Sequence, residues 1–343
     1  MKRSSIRSSR LIAITLITLL VLMMSRTTWT VSPAPAQATS SCDTPSLSIA
    51  TYRPNTYSYP NDIETGDFNG DQKPDLVSYD KLLMNAGDGK FGPPLHLSNS
   101  LQLVIEWKAL GDFNGDGKLD VSLAGGLVGA IRLQTLFGDG NGAFTFNAGS
   151  YAYINTKPFA VSVGDFNHDG KSDLALVVYG TPLYKVRIWL SNGDGSFTPG
   201  LDYPVGMEAA DITATDFNHD GKLDLAVLNR DSEDVSIFLG VGNGTFSAAT
   251  NFLAGPDAWV LASGDFNGDG QIDLAIASYY IYERVAVLLG TGTGGFSAPI
   301  YNSNLGLTYS ITAGDFNGDG KSDIAVTSYQ APEVLVFIAT GGG

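Results

Sequence analysis

Asp112-Phe113-Asn114-Gly115-Asp116-Gly117-Lys118-Leu119-Asp120 is the stretch on which the reading of this chain turns. The pattern Asp-Phe-Asn-Gly-Asp-Gly-x-x-Asp recurs, complete or nearly so, six times, starting at Asp67, Asp112, Asp165, Asp216, Asp265 and Asp315. Successive starts lie 45, 53, 51, 49 and 50 residues apart. A steady period of this size marks a repeat architecture, in which each unit buries its apolar face only against its neighbours. The same residues place oxygen ligands at positions 1, 3, 5 and 9 of one tight loop. That is calcium chemistry.

Ca²⁺ is a hard cation that takes about 6–8 oxygen ligands from carboxylates, amides, backbone carbonyls and water. In the second copy the expected set is Asp112, Asn114, Asp116, the carbonyl of Lys118 and Asp120. Glycine at position 6 permits the sharp turn that wraps the ion. The loop resembles the first nine positions of an EF-hand, but position 12 is Leu123 instead of a bidentate Glu, and β-rich segments flank it. It therefore joins two strands. The corresponding sets are Asp165, Asn167, Asp169, Lys171 and Asp173; Asp216, Asn218, Asp220, Lys222 and Asp224; Asp265, Asn267, Asp269, Gln271 and Asp273; and Asp315, Asn317, Asp319, Lys321 and Asp323. The first copy has Asp67, Asn69, Asp71 and Asp75 but carries Gln72 at position 6 and Pro74 at position 8. A left-handed non-glycine residue costs about 1–2 kcal/mol, so this loop is expected to bind least tightly. Asp, Asn and Gly also make ordinary turns, but six copies in register argue for ligands.

Position 4 is glycine in four copies and His168 or His219 in two. Histidine is enriched among non-glycine residues at positive φ, and these two have no cysteine partners, so conformation explains them better than a transition metal does. His96 is isolated. A second element follows each loop: Gly87-Asp88-Gly89-Lys90-Phe91, Gly140-Asn141-Gly142-Ala143-Phe144, Gly193-Asp194-Gly195-Ser196-Phe197, Gly242-Asn243-Gly244-Thr245-Phe246 and Gly292-Thr293-Gly294-Gly295-Phe296. Between apolar runs these read as hairpin turns that need φ above zero. Gly290, Gly292 and Gly295 fit the dinucleotide fingerprint only by accident, because no helix opens after them. Asn243 starts a glycosylation sequon by pattern alone.

Together the two elements resemble the FG-GAP and VCBS repeat families, whose best-known members include the head of integrin α subunits and certain lectins. The resemblance covers about residues 47–341. It implies an all-β propeller of four-stranded antiparallel blades, with calcium held between the first two strands of each blade. Six motifs imply six blades, with seven as the family's alternative.

The residues lead to the same fold independently. Each unit reads strand, acidic loop, strand, variable loop, strand, Gly-rich turn and strand, with no sustained helical period, which suits a propeller. The phenylalanines at position 2 (Phe68, Phe113, Phe166, Phe217, Phe266 and Phe316) and those ending the Gly-rich turns are expected to pack between blades. The last unit stops short of a final strand, while residues 46–52 read as a strand without a unit. Pairing them would close a six-bladed ring over residues 47–343.

Lys2, Arg3, Arg7 and Arg10 precede an apolar run at 11–24, and Ala36-Gln37-Ala38 is a plausible cleavage site, so residues 1–38 read as an export signal and 39–46 as a linker. Fourteen residues are short for a membrane span; an uncleaved anchor is the alternative. Cys42 is the only cysteine, so no intrachain disulfide forms. Loss of the signal removes five basic and no acidic residues, leaving a net charge of −20, which argues against nucleic acid. The six loops hold 18 of the 35 acidic residues; their self-repulsion opposes folding unless cations enter. Extracellular modules bind Ca²⁺ at about 10⁻⁴–10⁻³ M, in keeping with a secreted monomer.

No G-x-S-x-G, H-E-x-x-H or Cys–His pair is present, and the recurring acids already serve as ligands. A binding or adhesion module for a glycan or surface protein is the favoured function; a polysaccharide-acting enzyme is the alternative. The acidic loops occupy one face, so the variable loops between second and third strands form the other. They carry the candidate ligand contacts Tyr79, Tyr179, Tyr184, Tyr279, Tyr280, Tyr282, Tyr329 and Arg230, the last in a dense cluster with Asp231, Glu233 and Asp234. Tyrosine offers a rigid apolar face with a polar tip.

Overall fold

The computed structural model describes residues 63–340 apart from 79–80, 88–89, 98–104, 128–129, 148–150, 155, 157, 181–182, 279–283, 304–307 and 329–333. The signal at 1–38, the linker at 39–46 with Cys42, the strand expected at 46–52, Gly343, and Tyr79, Tyr279, Tyr280, Tyr282 and Tyr329 lie outside the described residues. The described residues contain strands and no helix, and six of their antiparallel sheets are arranged as a six-bladed β-propeller, with a two-stranded hairpin beside them.

Blade 3 shows the plan. Its inner strand Pro158–Gly164 is followed outward by Asp173–Tyr179, Tyr184–Ser191 and Phe197–Pro204, hydrogen-bonded in chain order. Blade 4 (Ala209–Thr215, Asp224–Asn229, Asp234–Phe238, Thr250–Leu253) and blade 5 (Ala258–Gly264, Asp273–Ser278, Arg284–Leu288, Ile300–Ser303) repeat it. Blade 1 runs from Ile63–Gly66 to a short outer strand, Leu95–His96, with a separate hairpin of Asn85–Gly87 and Lys90–Phe91. Two blades depart from the four-stranded plan. In blade 2 both Phe144–Thr145 and Ala152–Tyr153 pair with the third strand, Ala130–Gly138, giving five strands. Blade 6 has three among the described residues, Thr308–Gly314, Asp323–Ser328 and Val334–Phe337.

The second strands explain how blades stack. Asp173–Tyr179 reads Asp-Leu-Ala-Leu-Val-Val-Tyr, and all but its last residue are buried, because both faces of a blade are covered by neighbours. The two-residue period divides the strand between two cores. Leu174, Leu176 and Val178 pack with Ala109, Phe113, Ala124 and Leu133 of blade 2. Ala175 and Val177 pack with Ile212, Leu225, Val227 and Phe238 of blade 4. Each fully buried Leu or Phe contributes about 1.5–3 kcal/mol.

Paired phenylalanines fasten four of the joints. Phe68–Phe144, Phe113–Phe197, Phe166–Phe246 and Phe217–Phe296 meet edge to face at 5.8, 5.8, 5.5 and 5.5 Å. In every pair the position-2 ring of one blade meets the ring ending the next blade's Gly-rich turn. Phe266 is buried between blades 5 and 6, whereas Phe316 is half exposed. The expected interblade packing therefore holds for the first five position-2 rings and fails at Phe316, which has no turn phenylalanine against it among the described residues. Backbone bonds reinforce the joints: Gly142 and Gly244 donate to the carbonyls of Phe68 and Phe166. At Gly111, where the inner strand of blade 2 ends, a Cβ would lie 2.7 Å from the Ser172 Cβ of the next blade, an atom fixed to the backbone, so the close approach requires glycine.

The third strand of blade 6 pairs only with Asp323–Ser328 among the described residues, and Val334, Val336 and Ile338 are exposed beside it. An open apolar edge invites aggregation. If residues 46–52 supply its partner, deleting 39–58 is expected to yield a much less stable or aggregating protein. Melting identical to that of the full mature chain would refute this closure.

Candidate functional site

The acidic loops share one hydrogen-bond pattern, which follows from two left-handed residues in each. Position 4 has positive φ at Gly70, Gly115, His168, His219, Gly268 and Gly318, and position 6 at Gln72, Gly117, Gly170, Gly221, Gly270 and Gly320. The values are 58° at both histidines and 65° at Gln72, so these side chains occupy a glycine conformation. The turn points backbone amides inward at the position-1 carboxylate. In the second loop Asp112 Oδ1 accepts from Gly115 and Asp116 N–H at 2.7 and 3.1 Å, and Oδ2 from Gly117 at 2.7 Å. Asn114 Oδ1 accepts from Asp116, and Asp116 Oδ1 from Lys118.

Position 9 plays a different part. Asp75, Asp120, Asp173, Asp224, Asp273 and Asp323 are fully buried. In Asp120, Oδ2 accepts from Phe113 N–H at 2.9 Å and Oδ1 from Gly138 N–H at 2.9 Å. The same two bonds recur in the other five loops, to the position-2 phenylalanine and to Asn85, Ser191, Gly240, Gly290 or Ala339. Each carboxyl thus staples its loop to the end of the third strand. Burial pushes Asp120 and Asp173 up to about 6, against the pull of those amides and with help from the charges at positions 5 and 1. Burial likewise raises Asp224 and Asp273.

The position-5 carboxylates face solvent and pair with the position-7 lysines: Asp71–Lys73 at 3.1 Å, Asp116–Lys118 at 3.6 Å, Asp169–Lys171 at 2.6 Å, Asp220–Lys222 at 3.1 Å and Asp319–Lys321 at 3.4 Å. The fifth loop has Gln271 instead. The Lys73 hydrogen bond holds Asp71 below the usual carboxylate range. Such exposed pairs are worth little. Among the described residues no three acidic, histidine or cysteine side chains are gathered in metal-holding geometry. The donor chemistry nevertheless fits Ca²⁺. All side-chain donors are oxygen, a carboxylate has about four lone-pair sites, and the amides occupy three at position 1 (two in the His168 and His219 loops) and two at position 9.

On the opposite face, Tyr179 ends a second strand and Tyr184 begins the third. Their rings meet at 5.2 Å, and Phe159 stands 5.4 Å from Tyr184. Tyr179 and Phe159 are exposed. Burial and the charge of nearby Glu208 raise the Tyr184 hydroxyl pKa. Arg230 is tied down: Nε and Nη2 donate to Asp257 Oδ1 at 3.0 and 2.7 Å, Nη1 lies 3.6 Å from Glu208, and the guanidinium stands 5.4 Å from the Trp259 ring. Glu208, Glu233 and Asp257 of this corner have φ of 50°, 57° and 57°, and non-glycine residues held there are strained.

The sequence reading named Tyr179, Tyr184 and Arg230 but missed Phe159 and Trp259. Both sit at irregular positions near the start of inner strands. Lining up the starts of the inner strands would have found them, because Phe159, Trp259 and Tyr309 hold the same place in three repeats.

A family model described as an FG-GAP-like repeat matches residues 67–123, 112–176, 175–227, 216–276 and 265–326. No curated protein sequence matches the chain. Among solved structures, the Photorhabdus luminescens Tc holotoxin pore is similar at 17% identity and a TM-score of 0.44, over 80% of this chain and 14% of that one. The exotype rhamnogalacturonan lyase YesX is similar at 14% identity and a TM-score of 0.46, over 82% of this chain and 56% of that one. This chain thus spans less than two thirds of either. No helix among the described residues is long and apolar enough to cross a membrane.

Proposed function

The chain belongs to the FG-GAP-like repeat family, and from that premise we propose that it is a secreted calcium-binding propeller that acts as a binding module. The observation that carries this reading is the division of labour between its faces. One face repeats the same acidic loop six times, a scaffold device. The other varies from blade to blade and exposes Tyr179 and Phe159 beside the Arg230 corner. In each loop, Ca²⁺ would be held by the carboxylates at positions 1 and 5, the position-3 amide, the position-7 carbonyl and the free lone pairs of position 9. It would supply positive charge where three carboxylates crowd. The ligand class is a glycan or a surface protein, and the apolar run at 11–24 supports export.

A polysaccharide-acting hydrolase or lyase on the same scaffold is the second reading. It has one observation on its side: Asp211 lines the central channel and is pushed by burial up to about 6, a value suited to acid–base chemistry near neutral pH.

The test is a screen of the mature chain against a glycan array and cell-surface proteins, in calcium and in EDTA, with product release monitored. Once a ligand is found, Tyr179→Ala is expected to weaken binding about tenfold with little change in melting temperature, because this ring is exposed. Unchanged affinity would move the contact to the channel or to the acidic-loop face.

A further inference from the structure

On the face away from the acidic loops, the inner strands start with a repeated irregularity. The ladder slips between Ile105 and Trp107, Pro158 and Ala160, Ala209 and Asp211, Ala258 and Val260, and Thr308 and Ser310. A bulge re-aims a side chain out of the strand's alternation, and the bulged residues of blades 3 and 5 are Phe159 and Trp259. With Trp107, Lys108, Glu64 and Asp211 they line a cavity of about 500 Å³ in the channel. Phe159 is 55% and Trp259 37% exposed, so both rings present surface to this cavity, and apolar surface gathered in one concave place marks a binding groove better than rings scattered singly do. Stacking of the Arg230 guanidinium, itself anchored to Asp257, holds the Trp259 ring in place.

The charges of the cavity narrow the ligand. Lys108 Nζ stands 3.6 Å from Glu64 Oε1, so its one lining cation has a counter-charge and an anionic ligand gains little. Arg230 already stands over the Trp259 ring, where it opposes a cationic ligand. Asp211 remains: Oδ1 accepts from Ile212 N–H and Oδ2 from Leu261 N–H of the next blade, both at 2.9 Å. Those bonds fix its direction and leave a lone pair on each oxygen for hydroxyl donors. Trp107 adds a buried indole N–H without an acceptor among the described residues. A concave, aromatic-lined space with a few oriented polar groups is the usual form of a small-ligand site.

We infer that the channel mouth binds a neutral sugar ring, stacked by its C–H face on Trp259 or Phe159 and hydroxyl-bonded to Asp211. This rests on the reading of the chain as a binding module and names its ligand and place. The full mature chain would be titrated by calorimetry with trisaccharides of glucose, mannose, galactose and xylose. Galacturonate and glucosamine trimers serve as the anionic and cationic arms. At least one neutral sugar is expected to bind, and Trp259→Ala or Phe159→Ala, whichever ring carries the stack, to weaken it about tenfold with melting unchanged. The inference falls if no neutral sugar binds at about 10 mM, about ten times the dissociation constant of a weak 1 mM site. It falls equally if a charged trimer is preferred, or if affinity survives both substitutions. A surface protein that binds through Tyr179 while every sugar fails would overturn this site alone and leave the binding-module reading in place.

Discussion

Asp224→Ala is expected to lower the melting temperature by about 5–10 °C in EDTA, and by at least as much in calcium. The Asp224 carboxyl is fully buried and accepts from Phe217 and Gly240 N–H at 3.0 and 2.7 Å. Alanine strands both amides, at about 1–3 kcal/mol each. The loop would lose its tie to the third strand, beside the Phe217–Phe296 contact with blade 5. Asp220→Ala provides the contrast. Asp220 is exposed and its lysine pair contributes little, so its loss is expected to matter in calcium and to vanish in EDTA. If Asp224→Ala also becomes silent in EDTA, position 9 acts only as a ligand and the staple contributes nothing.

Chelation is the second large effect. At about 2 mM calcium and dissociation constants of about 10⁻⁴–10⁻³ M, each loop contributes about 0.6–1.8 kcal/mol by mass action. Six loops together approach the whole stability of a typical domain, about 5–15 kcal/mol. EDTA is therefore expected to lower the melting temperature by about 10 °C or more, and excess calcium to restore it. The 18 loop carboxylates of the chain repel one another once the ions leave. Identical melting curves in calcium and EDTA would refute a stabilising role.

Much of this was legible in the sequence because it recurs. The fifty-residue period gave the blades, and the phenylalanines at position 2 and in the Gly-rich turns gave the joints where they meet, as at Phe113 and Phe197. The substitutions His168, His219 and Gln72 at glycine positions gave the left-handed turns. The double role of position 9 was not legible. An aspartate that accepts two backbone amides has the same letter as one that holds an ion, and the amide of Gly138 lies 18 residues away from Asp120. The channel was hidden for the opposite reason. Phe159 and Trp259 share one bulge position with the small Ala210 of blade 4, so no fixed motif marks it, and Asp211 does not recur. The fifth strand of blade 2 comes from Ala152–Tyr153, a segment too short to be recognised by alternation.

Equilibrium dialysis of the mature chain against calcium, at neutral pH and physiological salt, tests the account most directly by counting ions. The six loops predict roughly four or more ions per chain, with the Gln72 loop the last to fill. Fewer than about two ions at millimolar calcium would contradict it, because the five loops other than the Gln72 loop carry the same oxygen donors and should bind with similar affinity.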